Sequence, residues 1–506
     1  MSDGLNQTNR VAPLAMESGE FRAIGYQLVD RIADFLDSVA ARPVNPAESP
    51  VTVRAALGAD RQLPQEGEEA HVLLQRAADI LFDHSLFNGH PRFWGYITSS
   101  AAPIGALADM LAAAVNPNVG AWALSPMASE IEAQALRWIA ELLHYPVDSS
   151  GLFVSGGNMA NLVCLIAARR ARVGPDVRKN GLGTRRLRVY CSQETHTWIQ
   201  KAADILGLGT DSIRWIRTNH NFQIDTEALR KQIAEDLRAG DEPFLVVGTA
   251  GTVSTGAIDP LGELAAICRE FDLWFHVDGA YGAMAAVSSE APPELDRLCE
   301  ADSVAVDPHK WLYAPLEAGC ALVRRRSDLE NAFSWHPPYY HFGTEATNYY
   351  DLGPQNSRGF RALKVWLSLQ QAGRKGIAQM ISDDVCLSRE LFERIGACPE
   401  LQPLTQSLSI ATFRFVPADL DPNAPESEAY LDKLNRELLT RLQNSGEVYL
   451  SNAVIDGKFA LRACIVNFRT SVDDIKELPF VVVRSGKGLD SELRESPSQL
   501  GCSAAG

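Results

Sequence analysis

The sequence predicts an α/β fold: a mostly parallel sheet in a large domain, a helical segment before it and a smaller α+β domain after it. Three observations carry that expectation. Between residues 187 and 325, short apolar runs alternate with helix-length segments, the pattern of parallel strands covered on both faces. Residues 19–42 place Ile24, Leu28, Ile32 and Leu36 at helical spacing, so that segment forms an amphipathic helix. Past residue 385 the pattern shifts again, to strand-like runs at 411–419, 447–452 and 461–470 around a helical stretch at 426–443.

Taken in order, helix 19–42 ends at Pro43, Pro46 and Pro50, which read as a connector. Further helices are expected at 68–83, 102–115 and 126–144. The strands follow at 187–192, 244–251, 273–281, 302–307 and 320–325, with helices at 196–206, 225–239 and 261–271 between them. The expected division is a helical segment 1–95, a large domain 96–385, a small domain 386–485, and a frayed tail 486–506 rich in Ser, Glu and Gly. In such a sheet a ligand sits beyond the carboxyl ends of the strands. The residues just after each run therefore matter most.

At 506 residues the chain is too long for one small core. Its net charge of −16 argues against nucleic acid and anionic membrane surfaces as partners. Nine cysteines without a CxxC pair argue against a disulfide framework and a structural zinc site. A reducing, cytoplasmic location is the corresponding expectation. The start of the chain lacks the basic and apolar regions of a signal peptide. Ala101 to Val115 contains Asp109 and is too short to span a bilayer.

Five motifs carry chemistry. In SVAVDPHKW (303–311) an apolar run ends at Asp307, Pro308 stops it, and His309 and Lys310 follow. A lysine there is partly desolvated, which favours the neutral, nucleophilic amine. The plain alternative is a surface lysine in a turn. In HVDGAYGA (276–283) Asp278 ends a run too apolar for an unpartnered carboxylate. A protonated ring nitrogen is one partner for it, an arginine or a helix cap another. His276 and Asp278 as metal ligands need a third ligand that the spacing does not supply. Ala280 shares Asp278's side of the strand and is small enough for a ring to lie flat. SGGNMANL (155–162) offers Gly156 and Gly157 for close approach and a helix N-terminus for a phosphate. ETHTW (194–198) puts His196 just past a strand, where an imidazole stacks on an aromatic group or simply caps. GTAGTVSTGAIDP (248–260) brings Thr252 and Asp259 into a small-residue loop.

In this order, SGGN, ETH, HVDGAYG and DPHKW resemble the group II pyridoxal-phosphate decarboxylases, which include the aromatic-L-amino-acid, histidine, tyrosine and glutamate enzymes. The resemblance extends through HPRFWGY (90–96), WALSPMASEIE (122–132) and SRGFRALKVW (357–366), and is nearest the aromatic-amino-acid branch. It implies the fold-type I architecture, pyridoxal 5'-phosphate as cofactor, and decarboxylation of an L-amino acid to the amine. By the same resemblance Lys310 carries the cofactor as a Schiff base and His309 helps hold its phosphate. Asp278 pairs with the ring nitrogen, Ala280 and His196 cover the two ring faces, Gly157 and Asn158 contact the phosphate, and Thr252 the ring's polar edge. Gly279 and Asn158 depart from the family, which often has Ala at the first position and Ser or Thr at the second.

Further expectations rest on that resemblance. In FSWHPPYYHFGTEATNYY (333–350), Tyr339 falls where the family carries its proton donor, with Tyr340 beside it. Helix 19–42 clasps a second subunit in a homodimer, and Val119 and Ala121 reach into the neighbour's pocket. Trp94, Tyr96, Thr98 and Ser99 line a pocket for an aromatic side chain, and Ala121, where the branch has a bulky aromatic, admits one as large as indole. Aldehyde formation, decarboxylation of an acidic amino acid, and a catalytically dead scaffold are the competing readings. The intact Lys310, Asp278 and His196 speak against the last.

Overall fold

The computed structural model describes residues 12–336 and 346–495. Its centre is a seven-stranded sheet in the order β1-β7-β6-β5-β4-β2-β3. The strands are β1 (Ser150–Val154), β2 (Leu187–Ser192), β3 (Ile213–Ile216), β4 (Glu242–Thr249), β5 (Trp274–Asp278), β6 (Ser303–Val306) and β7 (Gly319–Val323). Neighbours from β3 to β6 run parallel. β7 is antiparallel to both β6 and β1. The central strands are buried along nearly their whole length, as strands covered on both faces must be. Helices Gly157–Val173, Trp198–Ile205, Thr226–Arg238 and Leu261–Glu270 supply much of that cover.

A four-stranded antiparallel sheet forms the smaller unit, in the order β10-β11-β9-β8. Its strands are β8 (Leu401–Ser407), β9 (Ile410–Phe415), β10 (Ser451–Ile455) and β11 (Lys458–Cys464), backed by helices Pro425–Asn444 and Val472–Glu495. Helix Ala362–Gly396 packs on both units, and the expected boundary at residue 385 falls inside it. Gly373, at φ 62°, kinks it.

Several expectations are corrected. Pro50 starts a helix, Pro50–Leu57, instead of continuing a connector. Proline suits the first helical position, and the Ser49 side chain accepts the Thr52 N–H. Residues 486–495 are the last turns of helix Val472–Glu495 and not a frayed tail, because Val481, Val482 and Leu489 are buried in the small-domain core. The strand expected at 447–452 lies later, at β10, paired to β11 through a turn at Asp456–Gly457, both with positive φ. That Asp-Gly pair is a hairpin signal in the sequence itself. No helix among the described residues is long and apolar enough to cross a membrane.

Candidate active site

The carboxyl ends of β1, β2, β4, β5 and β6 converge on one cavity of about 320 Å³. β5 delivers Asp278, and the turn after β6 delivers Asp307, His309 and Lys310. The loop after β2 brings Glu194 and His196, and the turn after β1 brings Ser155 to Asn158. The strand-end rule therefore locates the site, and five sequence motifs scattered over 155 to 310 share a single wall.

Asp278 is almost fully buried and held on two sides. Trp198 Nε1 donates to its Oδ2 at 2.7 Å, and the Ala280 N–H donates to Oδ1 at 3.2 Å. Lys310 Nζ lies 3.1 Å from Asp307 Oδ2. His309 Nδ1 donates to the Ala318 carbonyl at 2.7 Å, and its Nε2 stands 3.7 Å from Asp307 Oδ2. Burial lowers the His309 pKa, which keeps the ring neutral. At His196 the cavity walls do the same; Asp278 opposes and Lys310 reinforces that shift. The Trp198 N–H donates to His196 Nδ1 at 3.3 Å, leaving Nε2 to carry the ring proton.

The wall near β1 is shaped by glycine. Gly156 has φ +143°, where a side chain strains the backbone, and it caps helix Gly157–Val173. A Cβ on Gly157 meets Asp307 Oδ2 at 2.7 Å and Ala280 Cβ at 3.2 Å. That bare backbone and the free N–H groups of the first turn form a cradle for an anion. Three buried oxygens on the same cavity wall, Thr249 Oγ1, Glu194 Oε2 and Asp307 Oδ1, have no hydrogen-bond partner among the described residues. An amine, a carboxylate held for a ring nitrogen, an anion cradle and uncommitted polar atoms together fit pyridoxal phosphate.

A model of the pyridoxal-dependent decarboxylase conserved domain matches residues 50–410. The chain belongs to the pyridoxal-dependent decarboxylase family. It is 33% identical over 470 residues to an aromatic-L-amino-acid decarboxylase of Bacillus atrophaeus, covering 92% of this chain and 95% of the relative. A 4-hydroxyphenylacetaldehyde synthase of Rhodiola rosea is 30% identical, covering 87% and 89%. Among solved structures, Oryza sativa TDC with PLP and tryptamine superposes with TM-score 0.87 at 26% identity, over 95% of this chain and all of that one. This protein is thus a pyridoxal-phosphate-dependent carboxy-lyase of fold-type I.

Lys310, His309, Asp278, Ala280, His196, Gly157 and Asn158 all line the decarboxylase's cavity. Thr252 does not. Its hydroxyl turns back into its own loop, 2.9 Å from Thr255 Oγ1 and accepting the Ala257 N–H. Thr249 lines the cavity instead, directly beside Asp278 across the β4–β5 register.

None of the six expected pocket residues lines this cavity of the single chain. Trp94 pairs its backbone with Tyr449 and Cys464, which sends its indole into the small-domain core, bonded to Thr470. Tyr96 lies on the surface beside Tyr449, 55% exposed. Thr98 has its hydroxyl buried, and Ser99 bonds the His309 carbonyl at 2.8 Å from behind the site. Val119 and Ala121 are buried in their own chain, where the Arg358 guanidinium donates to the Val119 carbonyl. From segment 90–99 the residue that faces the cavity is Ile97. Tyr339 and Tyr340 lie outside the described residues.

His276, weighed above as a metal ligand, has both ring nitrogens committed, to Ser303 Oγ at 2.8 Å and Asn161 Oδ1 at 2.7 Å. The residues that motif reading missed are Trp198, Asp307, Thr249 and Glu194. Each lies within a quoted motif or at a strand end, and only the fold shows which of its neighbours it faces.

Proposed function

We propose that this decarboxylase removes carbon dioxide from an aromatic L-amino acid, with Lys310 anchoring the cofactor and Asp278 paired to its ring nitrogen. The observation that carries the reading is the meeting of Lys310, Asp278, His196 and Gly157 around one cavity. The cofactor, when bound, supplies an aldehyde that condenses with amines and a ring that draws electrons from the breaking bond. Lys310 gives the amine that holds it and that later helps release product. Asp278, fixed by Trp198 and Ala280, keeps a proton on the ring nitrogen. His196 covers one ring face with a neutral imidazole, and Ala280 leaves the other face flat. Gly157 and Asn158 receive the phosphate at the start of their helix. The aromatic assignment is supported by the relatives' names and by a cavity whose apolar lining includes Ile97, Val253 and Tyr281.

Purified protein is expected to be yellow, with borohydride fixing the cofactor to Lys310. A fixed adduct in the same cavity of Lys310→Ala overturns the anchor. Offered a mixture of amino acids, the enzyme is expected to turn over Tyr, Trp, Phe or dihydroxyphenylalanine; preference for glutamate or aspartate overturns the substrate class. Similarity to the Rhodiola rosea synthase raises a second reading, which aldehyde, ammonia and peroxide in place of amine under air establish.

The same reading extends to a homodimer. Helix Ser18–Ser38 carries an apolar stripe, yet none of its residues is fully buried within the chain, and Phe21, Tyr26 and Val29 are exposed. A fully active monomer at micromolar concentration in sedimentation rules this out.

A further inference from the structure

The turn that carries Lys310 is held from behind by a single carboxylate. Asp384, on helix Ala362–Gly396, is 1% exposed. Its Oδ2 accepts from Trp311 Nε1 at 2.9 Å and from the Tyr313 hydroxyl at 2.7 Å. These donors stand one and three residues after Lys310, and the Tyr313 N–H donates to the Lys310 carbonyl at 3.1 Å. Tyr313 has φ 53°, a conformation an aromatic residue adopts only under constraint. Trp311 in turn stacks on Tyr281, ring centroids 4.7 Å apart, three residues after Asp278.

We infer that Asp384 is a positioning residue for Lys310, locking the lysine's turn through Trp311 and Tyr313. This rests on the reading that Lys310 anchors the cofactor. Two donors converge on one oxygen of this carboxylate. A proton on the acid removes the charge that both bonds accept into and weakens them, so protonation loosens the lock.

Burial raises the Asp384 pKa from 3.8 to about 7, against the bonds from Tyr313 and Trp311. The lock therefore tightens as pH rises through about 7 and loosens as pH falls through it. The other groups facing Asp384 are its neighbour Asp383 and, from β11, the Cys464 thiol, which burial keeps neutral. Tyr281, beyond Trp311 and Tyr313, also stays neutral, because burial raises its pKa well above the ordinary tyrosine value. Neither the Cys464 thiol nor the Tyr281 hydroxyl loses its proton in the same interval.

The test uses nitrogen-labelled holoenzyme. The Trp311 indole N–H resonance, assigned by its loss in Trp311→Phe, is expected to titrate with a midpoint near 7. Cofactor release is expected to quicken several-fold as pH falls across that interval. Asp384→Asn flattens both curves. Tyr313→Phe removes one donor to the anion and moves both midpoints up by about one to two pH units. An indole that does not titrate overturns the inference. So does a Tyr313→Phe variant whose indole curve moves while its release curve stays, since Asp384 then has only a structural role. The indole titration needs no assumption about Lys310, so failure of the Lys310 reading shows separately, in the borohydride experiment.

Discussion

Trp198 Nε1 donates to Asp278 Oδ2 at 2.7 Å, so the carboxylate reaches the cavity with one oxygen already fixed by a buried indole. A hydrogen bond to a charged group contributes about 1.5–3 kcal/mol. Trp198→Phe keeps most of the burial and loses that bond. Its cofactor dissociation constant is expected to rise by about tenfold to a hundredfold, with the melting temperature of the cofactor-free protein changing little. Titration of apoenzyme with pyridoxal phosphate measures it; unchanged affinity means that the indole is only packing.

Gly157→Ala tests the anion cradle. The added Cβ sits 2.7 Å from Asp307 Oδ2 and 3.2 Å from Ala280 Cβ, and both of those residues are buried. Overpacking of this kind costs about 1–3 kcal/mol. The cost falls on the wall that meets the ligand, so cofactor affinity is expected to drop tenfold or more while the fold persists. A variant that loses stability and keeps affinity places the phosphate elsewhere.

Much of this geometry is legible in the sequence, for physical reasons. Continuous apolar runs locate β2, β4, β5, β6 and β7 within a few residues, and the strand-end rule then selects Asp278, His196 and Lys310. The pocket residues are not legible in the same way. The segment 90–99 looks like an aromatic pocket until the Trp94 backbone pairs with Tyr449, a partner more than three hundred positions away. A turn at Tyr96, with φ 53°, then brings Ile97 to the cavity. β3 has four residues, two of them buried, too short and too mixed for a pattern. Helix Val472–Glu495 contains Pro479, a signal against the helix that tertiary burial overrides.

Ile97 accordingly becomes the residue to enlarge. If the substrate is aromatic, Ile97→Phe narrows the cavity and penalises the larger side chain more. The kcat/KM for tryptophan is expected to fall about tenfold or more relative to that for phenylalanine. Parallel losses for both substrates mean that the side chain lies on another wall.

His276 makes the decarboxylase's stability depend on pH, with a sign its hydrogen bonds fix. Trp274 Nε1 donates to Ser303 Oγ at 2.9 Å, so the Ser303 proton is free to point at His276 Nδ1, 2.8 Å away. Nδ1 is then the acceptor, and Nε2 carries the proton that Asn161 Oδ1 receives at 2.7 Å. A second proton on the ring faces Ser303 Oγ, which already accepts from Trp274, in a site with no exposure to solvent. Burial, opposed by Asp278, lowers the pKa from 6.5 to about 4. Between those values the unfolded chain binds a proton that the folded one refuses. The contribution is fully present above 6.5 and is lost as pH falls to about 4; it amounts to about 3 kcal/mol at most. His276→Gln replaces the Nε2 donor with an amide that cannot titrate. It is expected to be less stable than wild type at neutral pH, and the gap between the two denaturation midpoints should narrow steadily on acidification. Parallel curves across that window mean that the folded protein accepts the proton, and that the Trp274–Ser303–His276–Asn161 chain reorients to hold it.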